Sequence, residues 1–282
     1  MNGAWVQLLA GLLGFTVGTI PFNYLGCPIF KGKPKTTYFQ CISDNIKAKL
    51  STWKGIILSI MGRIQLVKSI IHGMLVYSFH VYMWPHRILC MLDSWIKNFI
   101  WSGDIHTRKV CTVSWKVFCL LWSARGLDVK PTRLINESFM LKLAWQLTHS
   151  NSQWAELFRW RYFTNGRLTM GYIKSSVWTS LKVHVGTSIS NSLWVVGTGA
   201  NINLWADNWL GESLVDLFHI APFLHDSFTA TVADVIFDGD WNLPSDLLPH
   251  VNSLLDTIVL PVSPLPDSLV WMHSPDGGLT SK

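Results

Sequence analysis

Between residues 36 and 101 the chain carries three successive stretches in which apolar side chains recur every three or four positions, a spacing that only an amphipathic helix gathers onto one face. In the first, Thr36 to Leu50, the residues Tyr38, Ile42, Ile46 and Leu50 share a face while Lys47 and Lys49 point away. The second runs from Leu58 to Met83. Its buried side is expected to hold Ile60, Ile64, Val67, Ile70, Ile71 and Met74, with Arg63 and Lys68 off it, Gly73 as a breaking point and Pro85 as a stop. The third, Arg87 to Trp101, carries Ile88, Leu92, Trp95, Ile96 and Phe99 as a stripe. Helices joined by such short connections hide their apolar faces against one another, which predicts a small bundle.

On either side the pattern changes. From Phe15 to Gly32, turn formers at Gly18, Pro21, Gly26, Pro28 and Gly32 divide short aromatic and β-branched runs, so a hairpin is expected there. A fourth helix, with Asn136 as its cap, lines up Phe139, Leu143 and Leu147, and a shorter aromatic one follows from Trp154 to Phe163. Ser192 to Trp205 alternates Trp194 and Val196, then Ile202 and Leu204, across Gly197-Thr198-Gly199-Ala200-Asn201, and reads as a second hairpin. Beyond Asp207, seven of the twelve prolines stand among acidic residues, which predicts a loop-rich tail without a compact core of its own. The expected fold class is therefore mainly α: a helical bundle after a short β-hairpin, then a connector with a β-hairpin and an acidic tail.

Charge divides the chain as sharply. Residues 1–182 hold 22 Lys and Arg against 6 Asp and Glu, and residues 183–282 hold 1 against 11. Such asymmetry fits a first block that meets a polyanion; ordinary solvated faces of opposite sign are the other reading. With 49% hydrophobic residues the chain is not a disordered charged tail. Its 16 tryptophans bring so much apolar area that some are expected on the surface, as a Trp-rich face for a protein partner.

Five widely spaced cysteines, with no C-x-x-C pair, point to a reduced intracellular setting and to no metal site. The apolar run from Ala4 to Ile20 lacks a basic flank and a cleavage site, is interrupted by Gln7 and several glycines, and falls short of the ~20 residues of a span. No membrane partner is expected.

Catalytic and cofactor motifs are missing: no H-E-x-x-H, P-loop or G-x-S-x-G occurs. Gly197-Thr198-Gly199 reads as a turn, as does Asp238-Gly239-Asp240, which offers two carboxylates but no third ligand. No catalytic residue, cofactor or metal is expected. The positive signal is Lys31, Lys33 and Lys35 directly after the first hairpin, with Arg63 and Lys68 on the following helix. Cations beside aromatic residues bind phosphates by charge while the rings stack on bases. The same lysines would also serve as plain solvent faces of amphipathic helices.

Several segments, in order, resemble a known family. Pro21-Phe22-Asn23-Tyr24-Leu25-Gly26-Cys27-Pro28-Ile29 is similar to the P-F-x-Y-L-G-x-P-[IL] segment of plant LINE-type (non-LTR) retrotransposon reverse transcriptases. Trp53-Lys54, then Leu58-Ser59 through Gly62-Arg63 to Lys68-Ser69, resembles its W-[KR] and L-S-x-x-G-R-x-x-L-[IV]-K-S. Phe99-Ile100-Trp101-Ser102-Gly103 resembles F-[LI]-W-x-G, Trp115 with Cys119 fits W-x-x-[VIF]-C, and Asn136 with Leu143 and Trp145 fits its N-x-A-[LM]-L-x-K-x-x-W helix. Trp194 to Leu210 is similar to W-x-[IV]-G-x-G-x-x-I-x-[LF]-W-x-D-x-W-L.

The resemblance implies a primer-grip hairpin at the end of a polymerase palm over residues 1–35, with Phe22, Tyr24, Leu25 and Gly26 in it. It implies a helical thumb over 36–132, a connector over 133–266 and the start of a reverse transcriptase zinc-binding domain over 267–282, whose metal ligands are expected beyond Lys282. An RNA/DNA template-primer duplex would be the partner, held through Lys31, Lys33, Lys35, Arg63 and Lys68, in the nucleus. Two departures stand out. No F-A-D-D-type strand precedes Phe22, so the polymerase carboxylates are missing and no RNA-directed DNA polymerase activity is expected of this sequence. The family's P-K-x-x-G-G-L-G stands as Leu121-Trp122-Ser123-Ala124-Arg125-Gly126-Leu127-Asp128, without the proline and two of the glycines, as in a decaying element. A degenerate helical remnant with no nucleic-acid activity, or one that binds a protein, is the alternative.

Overall fold

The three amphipathic stretches fold as helices, in a computed structural model that describes residues 3–16, 18–53, 55–110, 113–164, 167–168, 175–261 and 263–280. The chain forms two units, residues 1–140 with 172–181, and residues 141–171 with 182–282. The fold is mainly α, with only two-stranded antiparallel pairs among the described residues.

In the first unit, α1 (Gly3–Leu13) precedes a hairpin of β1 (Phe22–Tyr24) and β2 (Cys27–Ile29). A 3-10 turn, Thr36–Phe39, leads into α2 (Gln40–Thr52), which buries Ile46 and Leu50. The second stretch becomes α3 (Ile60–Leu66), a π turn (Val67–Ile71) and α4 (His72–Phe79), begun by the Ser59 hydroxyl, which accepts from the Gly62 N–H at 3.2 Å. Gly73 lies inside α4 and breaks nothing, and the helix stops at Phe79 rather than at Met83.

The π turn sets which face is buried. Four residues overshoot one α-helical turn by about 40°, whereas they fall short of the wider i→i+5 turn. The two drifts offset each other, and Val67, Ile71, Leu75 and Phe79, each four apart, are all fully buried. Two expectations fail at the start of this stretch: Ile60 is exposed and Arg63 is buried.

Against these helices packs α5 (His86–Ser102), with Ile88, Leu92, Ile96 and Phe99 buried as the stripe predicts. It ends at Gly103, whose φ of 79° is the left-handed cap that glycine adopts without a Cβ clash. Space demands glycine there too, since a Cβ on Gly103 would lie 2.6 Å from the Ile56 nitrogen.

After α6 (Trp115–Phe118) comes α7 (Thr132–His149), whose residues up to Met140 belong to the first unit. Asn136 does not cap it. The helix starts four residues earlier, where the Thr132 N–H donates to Asp93 at 3.0 Å, and Asn136 sits inside it, fully buried.

The second unit continues with α8 (Gln153–Tyr162), β3 (Phe163–Thr164) paired with β4 (Arg167–Leu168), and α9 (Trp178–Ser190), which enters it at Lys182. Then β5 (Ser192–Val195) departs from the hairpin expected of it. After α10 (Leu214–Leu217), β6 (Ile236–Phe237), β7 (Asp240–Trp241) and α11 (Leu248–Leu255), the last strand β8 (Ser268–Trp271) pairs with β5, Trp194 opposite Leu269. Ile202 to Leu204 bonds instead to residues 230–232: the Leu204 N–H donates to the Ala230 carbonyl and the Val232 N–H to the Ile202 carbonyl, both at 2.9 Å.

The acidic tail is loop-rich, yet it has the core that its prolines argue against. Val196, Ile202, Leu204, Trp209, Leu214, Val232, Val235 and Val251 are buried together, and the Trp209 ring stacks on Trp241 at 5.3 Å. Proline and acidic residues occupy the rim, so composition alone conceals the apolar residues between them. Asp238 and Gly239 make the β6–β7 turn, both with positive φ.

Gly197-Thr198-Gly199 is a turn, with a use that its sequence does not show. The Asp267 carboxylate accepts the N–H groups of Gly197 at 2.8 Å, Gly199 at 2.7 Å and Asn201 at 3.0 Å, which ties the entry of β8 to the exit of β5. A Cβ on Gly197 would lie 2.2 Å from the Leu265 carbonyl oxygen, so the turn closes only with glycine there.

Burial acts to raise the Asp267 pKa, but the three N–H donors outweigh it and hold the carboxyl below its usual value. A depressed carboxylate pKa contributes stability above the unfolded value of about 3.9 and loses it as pH falls through the folded one. Asp267→Ala is therefore expected to destabilise the second unit by about 2 kcal/mol at pH 7, with the difference from the parent shrinking below about pH 4. Urea titrations at pH 7 and pH 3 measure both; a gap that stays constant across that range contradicts the assignment.

Candidate nucleic-acid interface

The first hairpin turns tightly because Leu25 and Gly26, the two residues between its strands, both take positive φ. Its second strand is anchored, with Cys27 and Pro28 buried. Its first strand and tip are not: Phe22, Tyr24 and Leu25 are exposed by 47%, 59% and 75%. Large apolar groups held in water on a tight, anchored turn form a surface suited to stacking or to a partner.

Phe30 fixes the exit of the hairpin. Buried, it stacks on Tyr38 at 4.5 Å and packs against Tyr82 at 4.6 Å. From this aromatic anchor the chain runs Lys31-Gly32-Lys33-Pro34-Lys35, and exposure alternates with sequence: the three lysines are exposed, Gly32 and Pro34 half-buried. The Lys35 backbone is extended, at φ −106° and ψ 150°. Beside this segment a cavity of about 420 Å³ is lined by Gly18, Thr19, Ile20, Pro21, Phe30, Lys31 and Tyr38. Hairpin aromatics and a short row of solvated ammonium groups thus come from adjacent stretches of one unit. That unit carries 17 Lys and Arg against 5 Asp and Glu, whereas the second carries 6 against 12.

The other two expected cations differ from these three. Arg63 is a correction: only 9% exposed, its Nε donates to the carbonyls of Gly55 at 2.7 Å and Leu58 at 3.1 Å, and its Nη1 to that of Ile100 at 2.9 Å. It joins the 55–58 loop to the end of α5 and is not placed at the surface. Lys68 is half-buried and pairs with Asp128 at 3.3 Å, so its charge is partly neutralised within the fold. Asp128, sixty residues on, was not marked by any sequence signal as its partner.

Next to this pair, His72 is held down to about 4, by burial first and then by Lys68 and Lys130. It is neutral at ordinary pH and adds nothing to the positive field.

The thiols divide by burial. Burial raises the Cys27 thiol, and Cys119 is pushed up to about 12 by burial first and then by Asp93, which leaves both protonated and poor nucleophiles. Cys41 and Cys90 are exposed, and Cys111 lies outside the described residues, as do Lys54 and the Ser281-Lys282 end of the zinc-domain resemblance. Among the described residues no group of three or more His, Cys, Asp or Glu stands close enough to hold a metal ion, and no helix is long and apolar enough to cross a membrane.

Some tryptophans stand at the surface, as expected, though few of them. Of the 16 tryptophans Trp5, Trp122 and Trp160 are exposed, and the others are buried or half-buried. Exposed aliphatic residues include the run Ile56, Ile57, Leu58, Ile60 and Met61.

No protein-family model matches the chain. Over 198 residues it is 26% identical to a protein of Arabidopsis thaliana that carries the name ribonuclease H protein. The match spans 67% of this chain and 32% of that protein, so the chain corresponds to about a third of its length.

Proposed function

We propose that this chain is a portion of a LINE-type retrotransposon reverse transcriptase polyprotein, and that its first unit grips an RNA/DNA template-primer duplex by charge and stacking. The observation that carries this reading is the exposed aromatic tip of Phe22, Tyr24 and Leu25 followed by the exposed row Lys31, Lys33 and Lys35, within the basic unit. The similarity to part of a plant protein named for ribonuclease H supports a retroelement-related, nucleic-acid-associated origin. In this reading residues 1–35 are the primer-grip end of a palm, 36–132 the thumb, 133–266 the connector and 267–282 the opening of a zinc-binding domain. Contacts of this kind hold the backbone and carry no sequence preference. The chain by itself does not polymerise, since none of its residues match the polymerase carboxylates.

Replacing Lys31, Lys33 and Lys35 together by alanine tests it. Binding of an RNA/DNA hybrid is measured across a salt series, and the slope of log affinity against log salt should flatten by about one for each phosphate contact removed. Lys68→Ala, whose charge is already paired, should flatten it less. The same hybrid, supplied with nucleotides and Mg²⁺, should remain unextended. A triple variant with the parent's slope removes the site from this surface.

The exposed run from Ile56 to Met61 favours a second reading, in which the chain is a remnant that docks on another protein. Self-association or strong hydrophobic-dye binding without hybrid binding is the pattern it requires.

A further inference from the structure

We infer that Cys90 is a site of thiol–disulfide exchange, at which a small-molecule disulfide of the glutathione class forms a mixed disulfide with His86 as the proton acceptor.

The pair is built by α5 itself. His86 and Cys90 stand four residues apart, about one helical turn, so their side chains meet on one face. Cys90 Sγ lies 3.3 Å from His86 Nε2 and 3.9 Å from Nδ1, and both residues are exposed. A second element completes the surroundings. Thr132, at the start of α7, donates through its hydroxyl to the Leu89 carbonyl at 3.2 Å and through its N–H to Asp93 at 3.0 Å, which seats the first turn of α7 beside Cys90. The next residue, Arg133, thereby comes close enough for its guanidinium and a Cys90 thiolate to stabilise each other. Glu137 holds that guanidinium at 2.7 Å, so only part of its charge acts on the sulfur, and the imidazole is the main activating group.

Exchange needs a thiolate that a reagent can reach. The other described thiols each lack a requirement. Cys27 is buried, and Cys119 is half-buried with its thiol pushed up to about 12. Cys41 on α2 is exposed, but the residues four positions away on either side are Thr37 and Asn45, neither of them a base. In the exchange the Cys90 proton passes to His86 Nε2 and the thiolate attacks one sulfur of the disulfide. The old S–S bond breaks as the new one forms, and the departing thiolate takes the proton from the imidazolium. Cys90 is oxidised, the released thiol is the reduced product, and no further oxidant is consumed.

A free thiol at neutral pH is only a few per cent thiolate. Pairing with a base raises the reactive fraction by roughly thirtyfold at most, and the accompanying loss of nucleophilicity trims the gain to about fivefold.

The full chain is incubated with oxidised glutathione at about pH 7, quenched with acid and mapped by peptide mass spectrometry. Cys90 should form its mixed disulfide about fivefold faster than Cys41, with Cys27 and Cys119 unmodified while the chain is folded. His86→Ala and His86→Gln, at an exposed position, both remove the base and should lower the Cys90 rate to that of Cys41. Iodoacetamide, a neutral reagent, should show the same order and the same loss. Equal rates at Cys90 and Cys41, His86 variants that react as the parent does, or modification of Cys27 or Cys119 as fast as that of Cys90 would each overturn the proposal. A preference for Cys90 seen with glutathione but not with iodoacetamide would assign it to charge attraction by Arg133 and overturn it as well.

Discussion

Arg63→Ala is expected to lower the stability of the first unit by about 4 kcal/mol, the largest effect of any single substitution considered. The side chain is buried, and it supplies donors to three carbonyls, those of Gly55, Leu58 and Ile100. Each charge-assisted bond is worth roughly 1.5–3 kcal/mol, and its loss strands a carbonyl away from water. The loop it holds is also the one pressed against Gly103 at the end of α5. Arg63→Lys should recover only part of the loss, because an ammonium does not reproduce the planar fork that faces Gly55 on one side and Ile100 on the other. Urea unfolding of the full chain measures this. A loss under about 1 kcal/mol for the alanine variant, or full recovery by lysine, would return Arg63 to the surface role that its neighbours suggest.

The second large effect is expected at Asn136. Its Oδ1 accepts from the Trp84 N–H at 2.8 Å, and its Nδ2 donates to the carbonyls of Tyr82 at 2.9 Å and Phe79 at 3.3 Å. One amide on α7 thereby satisfies backbone groups at the end of α4 and in the turn before α5. Asn136→Leu keeps the branched shape but leaves one donor and two acceptors buried and unpaired, a cost of about 3 kcal/mol. Asn136→Asp should be no better, since it removes both donor bonds and buries a charge. Amide hydrogen exchange at Trp84 gives a local readout that a general loss of packing does not: exchange should accelerate there before α2 loosens. Unchanged protection at Trp84 in Asn136→Leu would contradict this role.

Local signals in the sequence agree best with the structure where the partner lies nearby. The hairpin at Phe22–Ile29 follows from turn formers a few residues apart, and the stripe on α5 from a period that a single helix expresses by itself. The alternation of Lys31, Lys33 and Lys35 with Gly32 and Pro34 keeps the cations in solvent, as their composition suggests. Structure and local pattern part where a side chain has two competing partners and the nearer one is the usual choice. Asn136 looks like a cap because asparagine commonly bonds the first turn of its own helix; here it bonds backbone more than fifty residues away. Arg63 looks solvent-facing on a regular helix, but the neighbouring loop and the end of α5 fold over it.

The strand Ser192–Val195 departs from its local pattern for a related reason. A Gly-rich turn followed by alternating residues is what a hairpin requires, and nothing local distinguishes that from a strand awaiting Ser268–Trp271. Nor does local sequence show that the turn's N–H groups converge on Asp267, some seventy positions later.

By itself, then, the sequence determined the mainly helical class, the faces of most helices, the first hairpin and the separation of basic from acidic halves, because each rests on spacing or composition along the chain. Only the tertiary structure decided which cations are free to meet a phosphate, where the second core lies and which polar residues are structural. Those outcomes depend on desolvation and on backbone groups brought in from distant positions, and no local period records either.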